Sequence, residues 1–317
     1  MKKLSYLDFA KGVCMLLIVF GHFFPYSKSA VMVYVNSFHV PAYYIISGFL
    51  IEYTGEYKKS FPALIKTNIL RLIVPYVCFE TICNIIYCVF HGFSNLGWLQ
   101  WQSFTLYGAG LPTWFLPVLF VSKCYLLCLR KLTSNKYMIS TACLIPFCIA
   151  LFSGFSEVTG QWKLYIFFRS FNAIGFLWLG TLLCKHIENV LNSRAALVGL
   201  LLFSPLTAMI NGLTNTYSMY YQNAILYVLS AVAGTLLLFH IGSRVHHMKL
   251  IKFYSANSVV ILGTHQTILY ALAWWFGDPF TERYWFPLML AVIALEFPIA
   301  LFINRFTPFL VGKWYKR

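Results

Sequence analysis

The chain has 317 residues, 60% of them hydrophobic and only 10% charged, with a mean hydropathy of +0.71. Soluble domains run near one quarter charged, so this composition excludes a soluble enzyme and describes a polytopic membrane protein. The net charge of +15 does not describe a nucleic-acid binder either: the lysines and arginines fall in short segments between apolar runs, as in cytoplasmic loops, not on one basic face. The nine cysteines sit mostly within apolar runs and show no CxxC spacing, which argues against a disulfide framework or a zinc site.

Windows of about twenty residues, the length that crosses a bilayer, give ten expected spans. They cover approximately 8–26, 37–54, 71–91, 113–130, 137–154, 164–184, 194–212, 222–242, 257–276 and 285–304. The first follows Met1, Lys2 and Lys3 like a signal peptide, but Lys11 and His22 interrupt its apolar run. It reads as a retained helix. Alternation puts both termini on one side. That side collects Lys58, Lys59, Lys66 and Arg71, then Arg130, Lys131 and Lys136, then Lys185 and Arg194, then Arg244, Lys249 and Lys252. Segments 92–112 and 213–221 on the other side carry no charge. The positive-inside rule therefore expects cytoplasmic termini. The fold class read from this pattern is an all-α integral membrane protein, a bundle of about ten transmembrane helices forming one domain over 1–317. Short interfacial or re-entrant helices are expected within 55–70 and 92–112.

Few polar groups lie at hydrocarbon depth: His22, His39, Glu80, Lys123, Arg169, His240, His265 and Glu296, with Asp8 and Lys11 nearer the cytoplasmic edge. Such groups are costly in lipid and by default face a bundle interior or a watery cavity. Lys11 and His22 are eleven residues apart, within about 20° of a whole number of helical turns and about 16 Å along the axis. They share a face. Asp8 falls within about 40° of His22 on the same stripe, and Gly21 removes bulk beside the imidazole. Each residue also has a plainer reading. Lys11 alone would be read as snorkelling to the headgroups. Lys123 and Arg169 either snorkel or pair with Glu80 and Glu296, His240 is read as interfacial, and a lone buried histidine is more often a hydrogen-bonded core residue. There is no Ser-His-Asp order, phosphate-binding P-loop or HExxH. A histidine near an acid can serve as a general base on a hydroxyl, and a cation on the cytoplasmic side can hold phosphate oxygens. The Lys11–His22 gap is about the reach of an extended pantetheine arm.

Five segments resemble acyltransferase family 3, the integral-membrane O-acyltransferases that include a polysaccharide and sugar O-acetyltransferase branch. LDFAKGVCMLLIVFGH carries a basic residue, ten intervening residues and a histidine, here Lys11 and His22. FHVPAYYIISGFL resembles the family's second helix through Phe38, His39, Pro41, Ser47, Gly48 and Phe49. RLIVPY, with Arg71, Pro75 and Tyr76, resembles its third-helix entry; TWFLPVLF and NSVVILGTHQ resemble its later segments through Trp114, Asn257, Ser258 and His265. Two departures stand out: Lys11 occupies a place where arginine is commoner, and Asn68 stands where a first arginine of a pair is expected, with Lys66 nearby.

The resemblance implies transfer of an acyl group, most simply acetyl from acetyl-CoA, to a hydroxyl of an envelope glycan or lipid-linked sugar at a bacterial inner membrane. No metal is expected. It implies His22 as general base, oriented by hydrogen bonding and by an acid it does not identify; Asp8, on the same stripe, is the further catalytic candidate. Lys11, Arg71 and Lys66 would bind the donor; His39, Ser47, Trp114 and His265 would line the acceptor's cavity. The competing readings are a secondary transporter and a flippase or assembly partner. Against the transporter stand the absence of matched interrupted helices in two halves and the concentration of polar groups in the first two spans.

Overall fold

The computed structural model describes residues 4–26, 28–104, 111–153, 165–245 and 248–313. In chain order the helices are α1 (Ser5–Phe23), α2 (Ala30–Thr54), α3 (Phe61–Asn68), α4 (Val74–His91), α5 (Leu96–Phe104), α6 (Phe115–Leu132), α7 (Lys136–Phe152), α8 (Tyr165–Asn192), α9 (Arg194–Asn211), α10 (Ala224–Arg244), α11 (Lys249–Ala256), α12 (Ser258–Phe276), α13 (Asp278–Arg283) and α14 (Trp285–Phe306). Each expected span overlaps one of these helices, of which α2 and α7 are not among the candidate membrane spans, and the architecture is an all-α membrane bundle. Among the described residues, eight helical segments are long and apolar enough to cross a membrane by length and composition. The segments from 55–70 and 92–112 hold the short helices α3 and α5. A two-residue hairpin, β1 (Thr214–Asn215) with antiparallel β2 (Tyr220–Tyr221), joins α9 to α10.

Local chemistry sets the helix limits. Ser29 caps α2 by accepting from the Met32 N–H at 3.3 Å, and Asn223 caps α10 by accepting from Leu226 N–H at 3.0 Å. Each satisfies a donor that the first turn leaves free. Gly55, at φ 63°, ends α2 in the left-handed conformation that glycine adopts without penalty. Residues Ile69–Ile73 form a π turn that makes α3 and α4 nearly one element. Its cause lies two residues on: Pro75 has no N–H to return to the Arg71 carbonyl, so the ladder must widen there.

Helix α1 is the hub. It packs against α2, α10, α11, α12 and α14, burying Ala10, Cys14, Met15 and Val19 almost completely. Helix α2 in turn lies along α8. There a Cβ on Gly48 would stand 1.8 Å from the Leu177 carbonyl oxygen, and one on Gly180 would stand 2.1 Å from that of Ile45. Small residues allow such approach, and in lipid van der Waals packing is a main force holding helices together. Replacing Gly48 with leucine is expected to separate this seam and cost well over about 3 kcal/mol, the usual limit of overpacking. Loss of the folded species in detergent size-exclusion and a lower melting temperature would register it.

The ion pairs differ from expectation. Lys123 meets Glu56 at 3.2 Å, not Glu80 or Glu296. Arg130 bonds Glu52, and Lys185 approaches the same carboxylate at 3.7 Å. These contacts tie the end of α2 to α6 and α8 where α1 begins. The buried carboxylates are met by hydroxyls instead: Glu80 accepts from Thr113 and from Ser103 at 3.0 Å, and Glu296 accepts from Thr264 at 2.7 Å. His240 is buried, four residues before the end of α10.

Candidate active site

One face of α1 carries Lys11, Met15, Ile18 and His22, spaced i, i+4, i+7 and i+11, and one face of antiparallel α2 carries Asn36, His39, Tyr43 and Ser47. All eight line a single cavity of about 510 Å3. The periodicity explains this: residues at three- and four-residue steps form one stripe of a helix. The third wall is Ser258, Leu262 and Gln266 of α12, joined by Leu72 of the π turn and Leu119 of α6. Trp114 and hairpin residues Asn215, Thr216 and Tyr217 complete the lining. The cavity therefore extends between two levels about 16 Å apart by helical rise.

His22 sits in the last turn of α1 and is exposed, the space beside it being this cavity. Its Nδ1 lies 2.8 Å from Nε2 of His265. The two rings are inclined by only 14°, with centroids 5.0 Å apart. That separation is the N···N distance plus the two ring radii, so the imidazoles meet edge to edge in nearly one plane, not face to face. His39 donates from Nδ1 to the Val35 carbonyl at 2.7 Å. The Tyr43 hydroxyl donates to the Lys11 carbonyl at 2.8 Å and ties α2 to α1 at the level of the lysine. Arg169 of α8 braces the hairpin and Trp114. Its Nε donates to the Tyr217 carbonyl at 2.8 Å, and its guanidinium stands 4.0 Å from the Tyr217 ring centre and 5.2 Å from that of Trp114. Cation–π contact of this kind holds both rings in place. From behind, Glu80 holds Thr113, next to Trp114.

Of the residues singled out from the sequence, Lys11, His22, His39, Ser47 and Trp114 come together on the cavity wall. His265 does not line it; it is fully buried behind His22. Asp8 lies fourteen residues before His22, about 21 Å away along the axis. It is therefore not brought to the imidazole, and the group found there is His265. Arg71 and Lys66 are exposed and off the cavity wall, although Leu72, the neighbour of Arg71, is on it. Asn36 and Tyr43 were not singled out, yet steps of three and four residues from His39 and Ser47 reach both. Gln266, Asn215 and Tyr217 had no such local signal.

Among the described residues lining the cavity, Lys11 is the one lysine or arginine, and no carboxylate lines it. The wall is otherwise apolar, with a few polar groups at set heights, as in sites that hold and orient an organic substrate. The protein is thus a multi-pass membrane protein with an internal chamber. A family model described as an acyltransferase domain matches residues 4–305, nearly the whole chain, and the chain belongs to acyltransferase family 3: it is a membrane acyltransferase. No curated protein and no solved structure matches it.

Proposed function

We propose that the protein moves an acetyl group from acetyl-CoA to a hydroxyl of an envelope glycan or lipid-linked sugar in a bacterial plasma membrane, with His22 as general base. The observation that carries this reading is that Lys11 and His22, one ammonium and one imidazole, open on the same chamber at its two levels. Lys11 meets the polar part of the donor, and the exposed cations Arg71 and Lys66 supply further phosphate contacts from the cytoplasmic side, where the basic loops place the termini. The pantetheine arm then lies along the chamber with its thioester near His22. The acceptor enters from the side of Trp114 and Tyr217, and aromatic faces suit a sugar.

The reaction needs one proton to travel. His22 removes it as the acceptor oxygen attacks the thioester carbonyl, forming the new C–O bond. Collapse of the tetrahedral adduct breaks the C–S bond, and the imidazolium returns the proton to the departing thiolate. Ester and free CoA thiol result. General-base help of this kind contributes about a hundredfold or more.

The test is purified protein in lipid vesicles, supplied with acetyl-CoA and a saccharide acceptor. The expected result is protein-dependent release of CoA thiol together with an O-acetyl ester on the sugar. Sugar movement down its gradient without thiol release would replace this reading with a transporter.

A further inference from the structure

The two imidazoles in line with the Ile261 carbonyl define a direction for their protons. The Ile261 oxygen can only accept, and the ring nitrogen 2.5 Å from it is Nδ1 of His265. That nitrogen therefore carries hydrogen. In neutral imidazole one nitrogen donates and the other accepts, so Nε2 of His265 is a bare lone pair. It faces Nδ1 of His22 at 2.8 Å. Two lone pairs cannot bond, so Nδ1 of His22 must be the donor, and the in-plane meeting of the rings is the arrangement an N–H aimed at a ring lone pair requires. What remains on His22 is Nε2, unprotonated, on the ring that opens into the chamber.

We infer that His265 is a positioning residue that fixes the tautomer of His22, leaving Nε2 as the nitrogen that takes the acceptor's proton. Resting on the acyl-transfer reading, it gives His265 a role distinct from lining a substrate cavity. In histidine-dependent catalysis the second ring nitrogen is commonly held by a carboxylate or a backbone carbonyl. Here a second imidazole transmits the hold of a backbone carbonyl. A neutral relay suits this site, because a carboxylate would place an additional charge in an apolar interior, where ionised groups are costly. His265 itself is fully buried, and its helix α12 packs directly on α1, so the ring has little freedom to turn away.

Two measurements test the relay. The first is nitrogen NMR of ring-labelled histidines in the protein in lipid. His22, assigned by comparison with His22→Gln, is expected to carry its proton on Nδ1, and in His265→Ala that preference is expected to be lost. This arm needs no turnover, so it stands or falls separately from the acyl-transfer reading. The second is kinetic. His265→Ala is expected to lower kcat at least about tenfold, since proton transfer by a positioned base is worth about a hundredfold or more. The KM for acetyl-CoA should change less than about twofold, because His265 is off the cavity wall where donor binds. Added imidazole, filling the vacated space, is expected to restore much of the lost rate with saturation. A wild-type His22 protonated on Nε2, or an unchanged kcat in His265→Ala, overturns the relay. So does a folded His265→Ala variant whose deficit imidazole does not repair.

Discussion

His22→Ala is expected to reduce acyl transfer by about a hundredfold to ten-thousandfold, the range that a positioned general base contributes. The loss should appear in kcat, with the KM for acetyl-CoA little changed, because the donor's charged end is held at Lys11, about 16 Å away by helical rise. The substitution removes a ring that faces a cavity, so it leaves no new void in packed core, and the variant is expected to insert and fold. Steady-state rates on purified protein, with a melting curve beside them, check both statements. A well-folded His22→Ala protein that acetylates at the wild-type rate would remove His22 from the chemistry.

Lys11→Met is expected to act on binding instead. Methionine keeps most of the apolar stem and discards the charge. A hydrogen bond to a charged group is worth about 1.5–3 kcal/mol, and about 1.4 kcal/mol is a factor of ten. The KM for acetyl-CoA should therefore rise about tenfold to a hundredfold, with kcat at saturating donor close to that of the wild type. Lys11→Arg should retain most of the affinity, since it keeps the charge and adds donors. Titration of initial rate against acetyl-CoA separates these outcomes. A fall in kcat at unchanged KM would assign the lysine to the reacting end of the chamber.

Much of this site was legible before any coordinates, and the reason is cost. Lys11 and His22 are expensive in lipid and share a stripe, so the angle between them already implied a chamber. The same reasoning misled at Asp8, because angular agreement ignores height along the axis, and fourteen residues carry the carboxylate about 21 Å from the imidazole. Lys123 and Arg169 were offered as partners for Glu80 and Glu296, beside a snorkelling reading, because opposite charge is the signal a sequence displays. The folded chain gives these two carboxylates hydroxyl donors from Thr113, Ser103 and Thr264, which no spacing rule finds. His265 is 243 positions from His22. Only the packing of α12 on α1 reveals that they touch. The hairpin over the chamber was likewise hidden in an uncharged stretch with no periodicity.

The antiparallel stripes on α1 and α2 carry one more consequence. Lys11 to His22 and Asn36 to Ser47 are both eleven-residue intervals, laid side by side and fastened where Tyr43 meets the Lys11 carbonyl. Each interval is close to three full turns. Adding or deleting a single residue inside either would swing everything beyond it by about 100° and turn a wall residue toward neighbouring helices or lipid. Evolution can therefore lengthen or shorten this gauge only by three or four positions at a time, and both helices would have to change together.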